Sequence, residues 1–276
     1  MIGSVSFMLF LLLLVYSLTV FVDQDLSNAL IWGGVCLVTS IIMFVIFFFW
    51  EKRTENPIID LRMFRNRRFA FGIFTAILAF QSLNVIFYQL PFYLRDIRGM
   101  DVIDIGLVII GSPLAMAIVG PFSGRLSDRI DPKYIASIGM VGISVDLILL
   151  AVFLTETTPY WFIVVMAVIL GISLGAFLSP NSNSIMSAAP KEKLGIASSL
   201  MNLSIQIGFS IGTALSTALL LGIRNVLHVI SGVPAKDPVN YMPALKIMFG
   251  IFAAFSIVAV FISYLRGSER REITDK

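Results

Sequence analysis

Eight continuous apolar runs, each long enough to cross a lipid bilayer, constrain this chain more than any other feature of its sequence. A spanning helix needs about 20 mainly apolar residues. The runs cover residues 3–22, 29–50, 69–94, 104–123, 134–154, 159–180, 194–222 and 244–265. Because they are continuous and do not alternate, they predict helices and not a β-barrel. Charged residues make up only 13% of the chain, against about 25% in soluble domains. We therefore predict an all-α polytopic membrane protein with eight transmembrane helices.

Lys and Arg in the loops predict the orientation of these helices. If the loop at 51–68 is cytoplasmic, fifteen of the twenty basic residues fall on that side. They are Lys52, Arg53, Arg62, Arg65, Arg67, Arg68, Arg125, Arg129, Lys133, Lys191, Lys193, Arg266, Arg270, Arg271 and Lys276. The opposite side receives Arg95, Arg98, Arg224, Lys236 and Lys246. We therefore expect a plasma-membrane protein with both termini in the cytoplasm.

The linker before the third run divides the chain. In residues 57–68, Ile58, Leu61 and Phe64 alternate with charges at helical spacing, which predicts a short in-plane helix on the cytoplasmic face. We predict two transmembrane helices and this linker in residues 1–67. A six-helix bundle is predicted for residues 68–276.

Polar side chains interrupt the third run at helical spacing. Gln81, Asn84 and Tyr88 share one face, with Gln89 beside them. Uncharged polar groups on a membrane helix turn toward protein or water rather than lipid. These residues are candidates to line a substrate cavity, and the alternative is hydrogen bonding between helices.

The seventh run has two specialised faces. The polar stripe consists of Ser199, Asn202, Gln206 and Ser210. The stripe of small residues, Ser204, Gly208 and Gly212, lies about 160° away at 100° per residue. We expect the small stripe to pack on a neighbouring helix. Asn202 and Gln206 are then candidate cavity residues, with interhelical hydrogen bonding again the alternative.

Two prolines modify the helical pattern. Gly111-Ser-Pro113 predicts a kink in the fourth run, because proline removes one backbone donor in the membrane. Ser179-Pro180-Asn181 predicts the end of the sixth run.

Asp146 lies near the middle of the fifth run, close to the predicted bilayer midplane. An ionised, unpaired carboxylate there costs several kcal/mol. It must be protonated, paired or exposed to a water-filled cavity. Asp146 is a candidate proton-coupling acid, and the alternative is a structural hydrogen bond or a contact between helices.

A short charged loop joins the fourth and fifth runs and holds Gly124, Arg125, Asp128, Arg129 and Lys133. Gly120 and Gly124 fall on one helix face, which allows two backbones to approach closely. We expect Asp128 to pair with Arg125 or Arg129, or to lie at a helix N-terminus. A simple topology-determining loop is the alternative.

Four segments carry a resemblance to a known family. Gly-Arg-Leu-Ser-Asp-Arg at 124–129 resembles the loop signature of the major facilitator superfamily. Residues 56–69, 88–94 and 195–208 resemble its fourteen-span drug:proton antiporter branch. Asp131 departs from the pattern, because the family usually has Gly there.

The resemblance implies two extra helices followed by a C-terminal six-helix bundle, itself an inverted pair of helix triplets. It implies that residues 124–133 form a gating loop that latches onto the other half of the transporter. The family's N-terminal six helices have no counterpart in this chain.

The resemblance also implies the C-terminal portion of a proton-driven efflux antiporter. Expected partners are the lipid bilayer, a small amphipathic substrate, protons and a second six-helix bundle. The alternative is a half-size subunit that does not transport alone. We expect no nucleic acid, no cofactor and no enzyme activity, since a single histidine, His228, and the lack of catalytic motifs leave too few groups for chemistry.

Overall fold

The computed structural model describes residues 2–23, 26–51, 61–233 and 238–267, and this part of the chain is almost wholly helical. The helices are α1 (Ile2–Asp23), α2 (Leu26–Glu51), α3 (Arg67–Asp96), α4 (Val102–Ile109), α5 (Gly111–Ser127), α6 (Pro132–Phe153), α7 (Tyr160–Ala188), α8 (Leu194–Ser231) and α9 (Pro238–Leu265). The predicted all-α class is confirmed.

Within the described residues, seven helical segments are long and apolar enough to cross a membrane. They correspond to the second through eighth predicted runs, with α4 and α5 together forming one span. The first predicted run forms the 22-residue helix α1.

The predicted interruption of the fourth run is confirmed at Ile110. Helix α4 ends at Ile109 and α5 begins at Gly111. Pro113 has no N–H to donate to the carbonyl group of Ile109, so the regular hydrogen-bond pattern is interrupted there.

Two predicted helix ends are wrong. Helix α7 continues through Pro180 to Ala188, because tertiary hydrogen bonds on the following residue, Asn181, hold this part of the chain in place. Helix α8 runs 38 residues, to Ser231. At 1.5 Å per residue it is about 57 Å long, well beyond a hydrocarbon core of about 30 Å.

Helix α8 ends just before Gly232, which adopts a left-handed backbone conformation. Gly232 has φ +68° and its N–H donates to the carbonyl oxygen of His228 at 2.9 Å, the usual C-terminal glycine arrangement. His228 therefore lies in the last turn of α8, outside the predicted span. Its side chain is exposed, and Nδ1 donates to the carbonyl oxygen of Val233 at 2.7 Å.

The described part of the predicted in-plane helix has a different structure. Residues 52–60 lie outside the described ranges, and Leu61–Arg65 forms a short 3-10 turn. Asn66 then caps α3, where its side chain accepts from the N–H of Arg68 at 3.0 Å. The cap starts a new helix at Arg67, so one continuous amphipathic helix through Arg68 is excluded.

Contacts between helix ends define two surfaces of the bundle. At one end, Asn66 Nδ2 donates to the carbonyl oxygen of Ala188 at 3.2 Å. We call this end the basic surface, because the predicted cytoplasmic residues gather there. Lys52, Arg53, Arg270, Arg271 and Lys276 lie outside the described residues. At the opposite surface, the Tyr93 hydroxyl donates to the carbonyl oxygen of Thr155 at 2.6 Å.

The helix contacts follow an inverted repeat. Helix α5 packs on α7 as α8 packs on α3, and α6 packs on α7 as α9 packs on α3. Exchanging the triplet α3 to α6 with the triplet α7 to α9 leaves this pattern unchanged. Since corresponding helices run in opposite directions, the predicted inverted pair of triplets is confirmed.

Glycines allow close approach at the α5–α7 and α6–α7 contacts. A Cβ atom on Gly171 would overlap the carbonyl oxygen of Ser112. A Cβ atom on Gly139 would lie 2.6 Å from the backbone nitrogen of Phe177. In lipid the hydrophobic effect does not drive helices together, so their association depends on van der Waals packing. Small residues allow the close backbone approach that this packing needs.

We predict that Gly171→Ala lowers the stability of the folded chain by about 1–3 kcal/mol, because the new methyl group forces α5 and α7 apart. The matched control is Gly106→Ala, since a Cβ there meets nothing within 4 Å. Thermal unfolding of the purified variants in detergent measures the difference. Equal unfolding temperatures for the two variants would contradict the assigned contact.

Cysteine labelling tests the two surfaces. In a Cys36→Ala background, Arg129→Cys and Glu192→Cys should react with a membrane-impermeant maleimide from the same side. Thr157→Cys should react from the other side, and all three native side chains are exposed. Reaction of positions 129 and 192 from opposite sides would exclude this arrangement.

Candidate functional site

The charged loop is built on the contact between α5 and α7. A Cβ atom on Gly124 would lie 2.7 Å from Oγ of Ser179, whereas one on Gly120 would meet nothing within 4 Å. Asn183 Nδ2 donates to Oγ of Ser127 at 2.8 Å. Both glycines therefore lie at the contact: Gly124 is next to the Ser179 side chain, and a Cβ atom on Gly175 of α7 would lie 3.1 Å from the backbone nitrogen of Gly120.

The predicted pairing of Asp128 is wrong for the described residues. No ion pair within 4 Å joins it to Arg125 or Arg129, and all three side chains are exposed. Asp128 ends α5, where its N–H bonds to the carbonyl oxygens of Arg125 and Leu126. The side chain that caps the next helix, α6, is not that of Asp128.

Asp131 occupies that N-terminus instead. Its side chain accepts from the N–H of Lys133 at 3.1 Å, and Pro132 is the first residue of α6. Proline is well suited to this position because its fixed φ matches the helix and its missing N–H would have no partner there. Asp131, which departs from the family pattern, thus sets the turn.

The side chain of Lys133 contacts two tyrosine rings. Its Nζ lies 4.7 Å from the ring centroid of Tyr134 and 5.9 Å from that of Tyr264 on α9. Such cation–π contacts are worth about 0.5–1 kcal/mol at exposed sites. The ammonium group of Lys133 therefore lies beside Tyr264 near the end of α9.

The second candidate region is the α3–α8 seam. A Cβ atom on Gly208 would lie 2.7 Å from the carbonyl oxygen of Ile77, and one on Gly212 would lie 2.7 Å from that of Gln81. Ser204 is buried on the same face. The prediction that this face of α8 packs on a neighbouring helix is confirmed.

Some predicted cavity residues hydrogen-bond across this seam. Asn84 Nδ2 lies 2.7 Å from the carbonyl oxygen of Phe209 and 2.5 Å from Oγ1 of Thr213, and it donates to both. Gln89 Nε2 donates to Oγ of Ser216 at 3.4 Å. Asn84 and Gln89 therefore tie α3 to α8.

The others differ in exposure. Asn202 and Gln206 are exposed on α8, Tyr88 is half-buried on α3, and Gln81 is buried. Tyr88, Asn202 and Gln206 are therefore the accessible members of this set, and we call these three side chains the polar face below. Gly208 faces Ile77 and Gly212 faces Gln81, so Tyr88 lies farther from the basic surface than Asn202 and Gln206.

Asp146 is fully buried in α6, and neither carboxylate oxygen has a hydrogen-bond partner among the described residues. It shares a helix face with Gly139 and Gly142, which contact α7. Helix α6 packs mainly on α7 and α9, so the structure does not bring Asp146 to the α3–α8 seam.

A buried arginine escaped the sequence analysis, which treated Arg266 only as a topology-determining charge. Arg266 is 1% exposed, and Nη1 donates to Oδ1 of Asn181 at 2.9 Å. Asn181 Nδ2 in turn donates to the carbonyl oxygen of Gly72 at 3.3 Å. This network joins α9, α7 and α3 near the basic surface. The available signal was Asn181, a polar residue directly after the proline of an apolar run.

Comparisons with known proteins agree with this architecture. The sequence matches the profile of the Major Facilitator Superfamily over residues 1–213 and again over residues 72–275. It is 31% identical over 177 residues to the riboflavin transporter RibZ of Clostridioides difficile, covering 64% of this chain and 39% of RibZ.

Two further relatives have names associated with drug resistance. The chain is 27% identical over 191 residues to the probable multidrug resistance protein EmrY of Escherichia coli, covering 69% of this chain and 37% of EmrY. It is 25% identical over 218 residues to the lincomycin resistance protein LmrB of Listeria monocytogenes, covering 77% and 46%. The chain spans less than half the length of these relatives.

With its inverted triplets, its signature loop and a profile match over nearly its whole length, the chain belongs to the Major Facilitator Superfamily.

Proposed function

We propose that this chain forms the two extra helices and the C-terminal bundle of a proton-driven efflux antiporter for amphipathic drugs or metabolites. The basic surface is the cytoplasmic one, as the distribution of Lys and Arg predicts. The observation that carries the proposal is the polar face, Tyr88, Asn202 and Gln206, on helices of a major facilitator bundle.

The polar face is suited to line a substrate path. Glycines seat α8 against α3 on one side, so the polar side chains on its other side stay accessible. Exposed polar groups at membrane depth are costly against lipid, and they mark water-filled or ligand-binding surfaces. Asn84 and Gln89 support this face by fixing α3 to α8.

The charged loop supports a second bundle as partner. Arg125, Asp128 and Arg129 are exposed and make no ion pairs with one another. Alternating access requires two bundles that rock about a central site, and the described helices form one. We propose that these three side chains contact the other bundle in one conformational state, whether that bundle belongs to the same polypeptide or to another chain.

Asp146 is the proposed proton-coupling acid. This carboxyl group must be protonated, paired or exposed to water. Among the described residues it has no hydrogen-bond partner, and it is fully buried. That leaves the protonated form, since an unpaired charge at this depth costs several kcal/mol. Proton release would then require α6 to move relative to α7 during the transport cycle.

Deletion of the gene in its own cell tests the function with whatever partner the chain has there. We expect accumulation of an amphipathic dye such as ethidium to rise on deletion. A proton ionophore should abolish the difference between the two strains. Equal accumulation with and without the gene would contradict efflux, and a difference that survives the ionophore would contradict proton coupling.

The same assay tests Asp146. Asp146→Asn preserves the size of the side chain but cannot exchange a proton, so we expect it to abolish ionophore-sensitive efflux at an unchanged protein level. Ser144→Ala is the control, because it removes the hydrogen bond to Ser256 from the same helix without removing an acid. Normal efflux in Asp146→Asn would eliminate the proposed coupling role.

Alanine variants separate the polar face from its support. Asn202→Ala and Gln206→Ala should change the relative efflux of different dyes at wild-type thermal stability. Asn84→Ala should instead lower stability, by about 0.6 kcal/mol for each interhelical hydrogen bond lost. Dye efflux and thermal unfolding of the same variants measure both effects. Unchanged selectivity in Asn202→Ala and Gln206→Ala would remove these residues from the substrate path.

A further inference from the structure

An apolar groove runs between α6 and α9 next to the basic surface. Its volume is about 320 Å³, and it is lined by Tyr134, Ser137, Ile138, Val141, Val260, Phe261 and Tyr264. Ile138 is 68% exposed and Phe261 is 62% exposed. Side chains of this kind on a membrane helix face lipid, so the groove is open to the bilayer.

At the floor of the groove, the buried serine hydroxyl groups of α6 and α9 hydrogen-bond to each other. Ser137 Oγ donates to Oγ of Ser263 at 3.0 Å, which ties α6 to α9. Both hydroxyl groups are buried. The remaining walls are aliphatic or aromatic, a surface that matches an acyl chain.

A cation and two phenol groups stand at the end of the groove. Lys133 lies over Tyr134 and near Tyr264, whose ring centroids are 6.3 Å apart. No ion pair within 4 Å engages Lys133 in the described part of the chain. Basic side chains at a membrane surface attract anionic headgroups, each contributing about 1 kcal/mol, and tyrosine is common at the same depth.

The described helices leave this groove uncovered. Helix α1 packs on α2 and α8, and α6 packs on α7 and α9 with smaller contacts to α3 and α5. The two N-terminal helices therefore lie against another part of the bundle. The polar face is likewise made by other helices, and of the charged loop only Lys133 borders the groove.

The opposite end of the same helix pair provides an internal comparison. A cavity of about 440 Å³ there is lined by Leu154, Thr155, Glu156, Thr157, Met242, Pro243 and Lys246. Lys246 Nζ donates to the carbonyl oxygen of Val152 at 3.3 Å. With its lysine engaged and the carboxylate of Glu156 at its edge, this second cavity disfavours an anion.

We propose that the groove between α6 and α9 binds an anionic phospholipid, with an acyl chain against Ile138, Val141 and Phe261 and the phosphate on Lys133. The assignment rests on an open apolar groove with a lysine at its end whose ammonium group makes no ion pair within 4 Å among the described residues, since the neighbouring Asp131 side chain accepts from the backbone N–H of Lys133. The site requires only that the chain is embedded in a membrane, so it is independent of the transported substrate.

Native mass spectrometry of the delipidated chain in detergent tests the site. The probes are phosphatidylglycerol and phosphatidylcholine with identical acyl chains. We expect preferential retention of phosphatidylglycerol, reduced about fivefold by Lys133→Gln, the weakening that corresponds to about 1 kcal/mol. Lys246→Gln should leave retention unchanged. Equal retention of both lipids would overturn the proposal.

A second variant tests the acyl-chain part of the groove. Val141→Trp fills the groove and should reduce phosphatidylglycerol retention, while Val152→Trp, near the opposite surface, should not. Thermal unfolding with and without phosphatidylglycerol gives a second readout, in which the lipid stabilises the wild type more than Lys133→Gln. If residues 268–276 cover Lys133 instead, Lys133→Gln retains the lipid like the wild type, which also overturns the proposal.

Discussion

The bundle depends on backbones that approach one another closely along helix seams. The hydrophobic effect provides no net attraction between transmembrane helices in lipid. Their association therefore depends on van der Waals packing and interhelical hydrogen bonds. Gly171 lies against Ser112 on α5, and Gly208 and Gly212 lie against the backbone of α3. These contacts are specific, because each added Cβ would meet a backbone atom rather than a flexible side chain.

The close helix contacts also determine which polar side chains are exposed and which form interhelical hydrogen bonds. Once glycines fix one face of α8 against α3, Asn202 and Gln206 on the other face stay exposed in the described bundle. Asn84 is close enough to bond the carbonyl oxygen of Phe209 and the hydroxyl of Thr213. One glycine seam thus produces both the accessible polar face and the hydrogen bonds that support it.

Two buried ionisable groups, Arg266 and Asp146, differ in whether their side chains have hydrogen-bond partners. Arg266 lies near the basic surface and donates to Asn181, which bonds to the backbone of α3. Asp146 lies deep in α6, and its oxygens have no partner in the described residues. A buried group with partners stabilises one arrangement, whereas a buried acid without them is sensitive to any movement that admits water.

The sequence by itself determined the helical spans, the interruption before Pro113, the separation of basic from less basic ends and the two faces of α8. These depend on local hydropathy, on helical periodicity and on the thickness of the bilayer, all of which are properties of short segments. Only the tertiary structure decided that α7 continues past Pro180 and that Asp131 rather than Asp128 caps α6. Only the tertiary structure separated Asn84 from Asn202, directed Lys133 toward Tyr264 and buried Arg266 against Asn181. Each of these outcomes depends on a partner helix that is distant in the sequence, or on turn geometry that residue type alone does not specify.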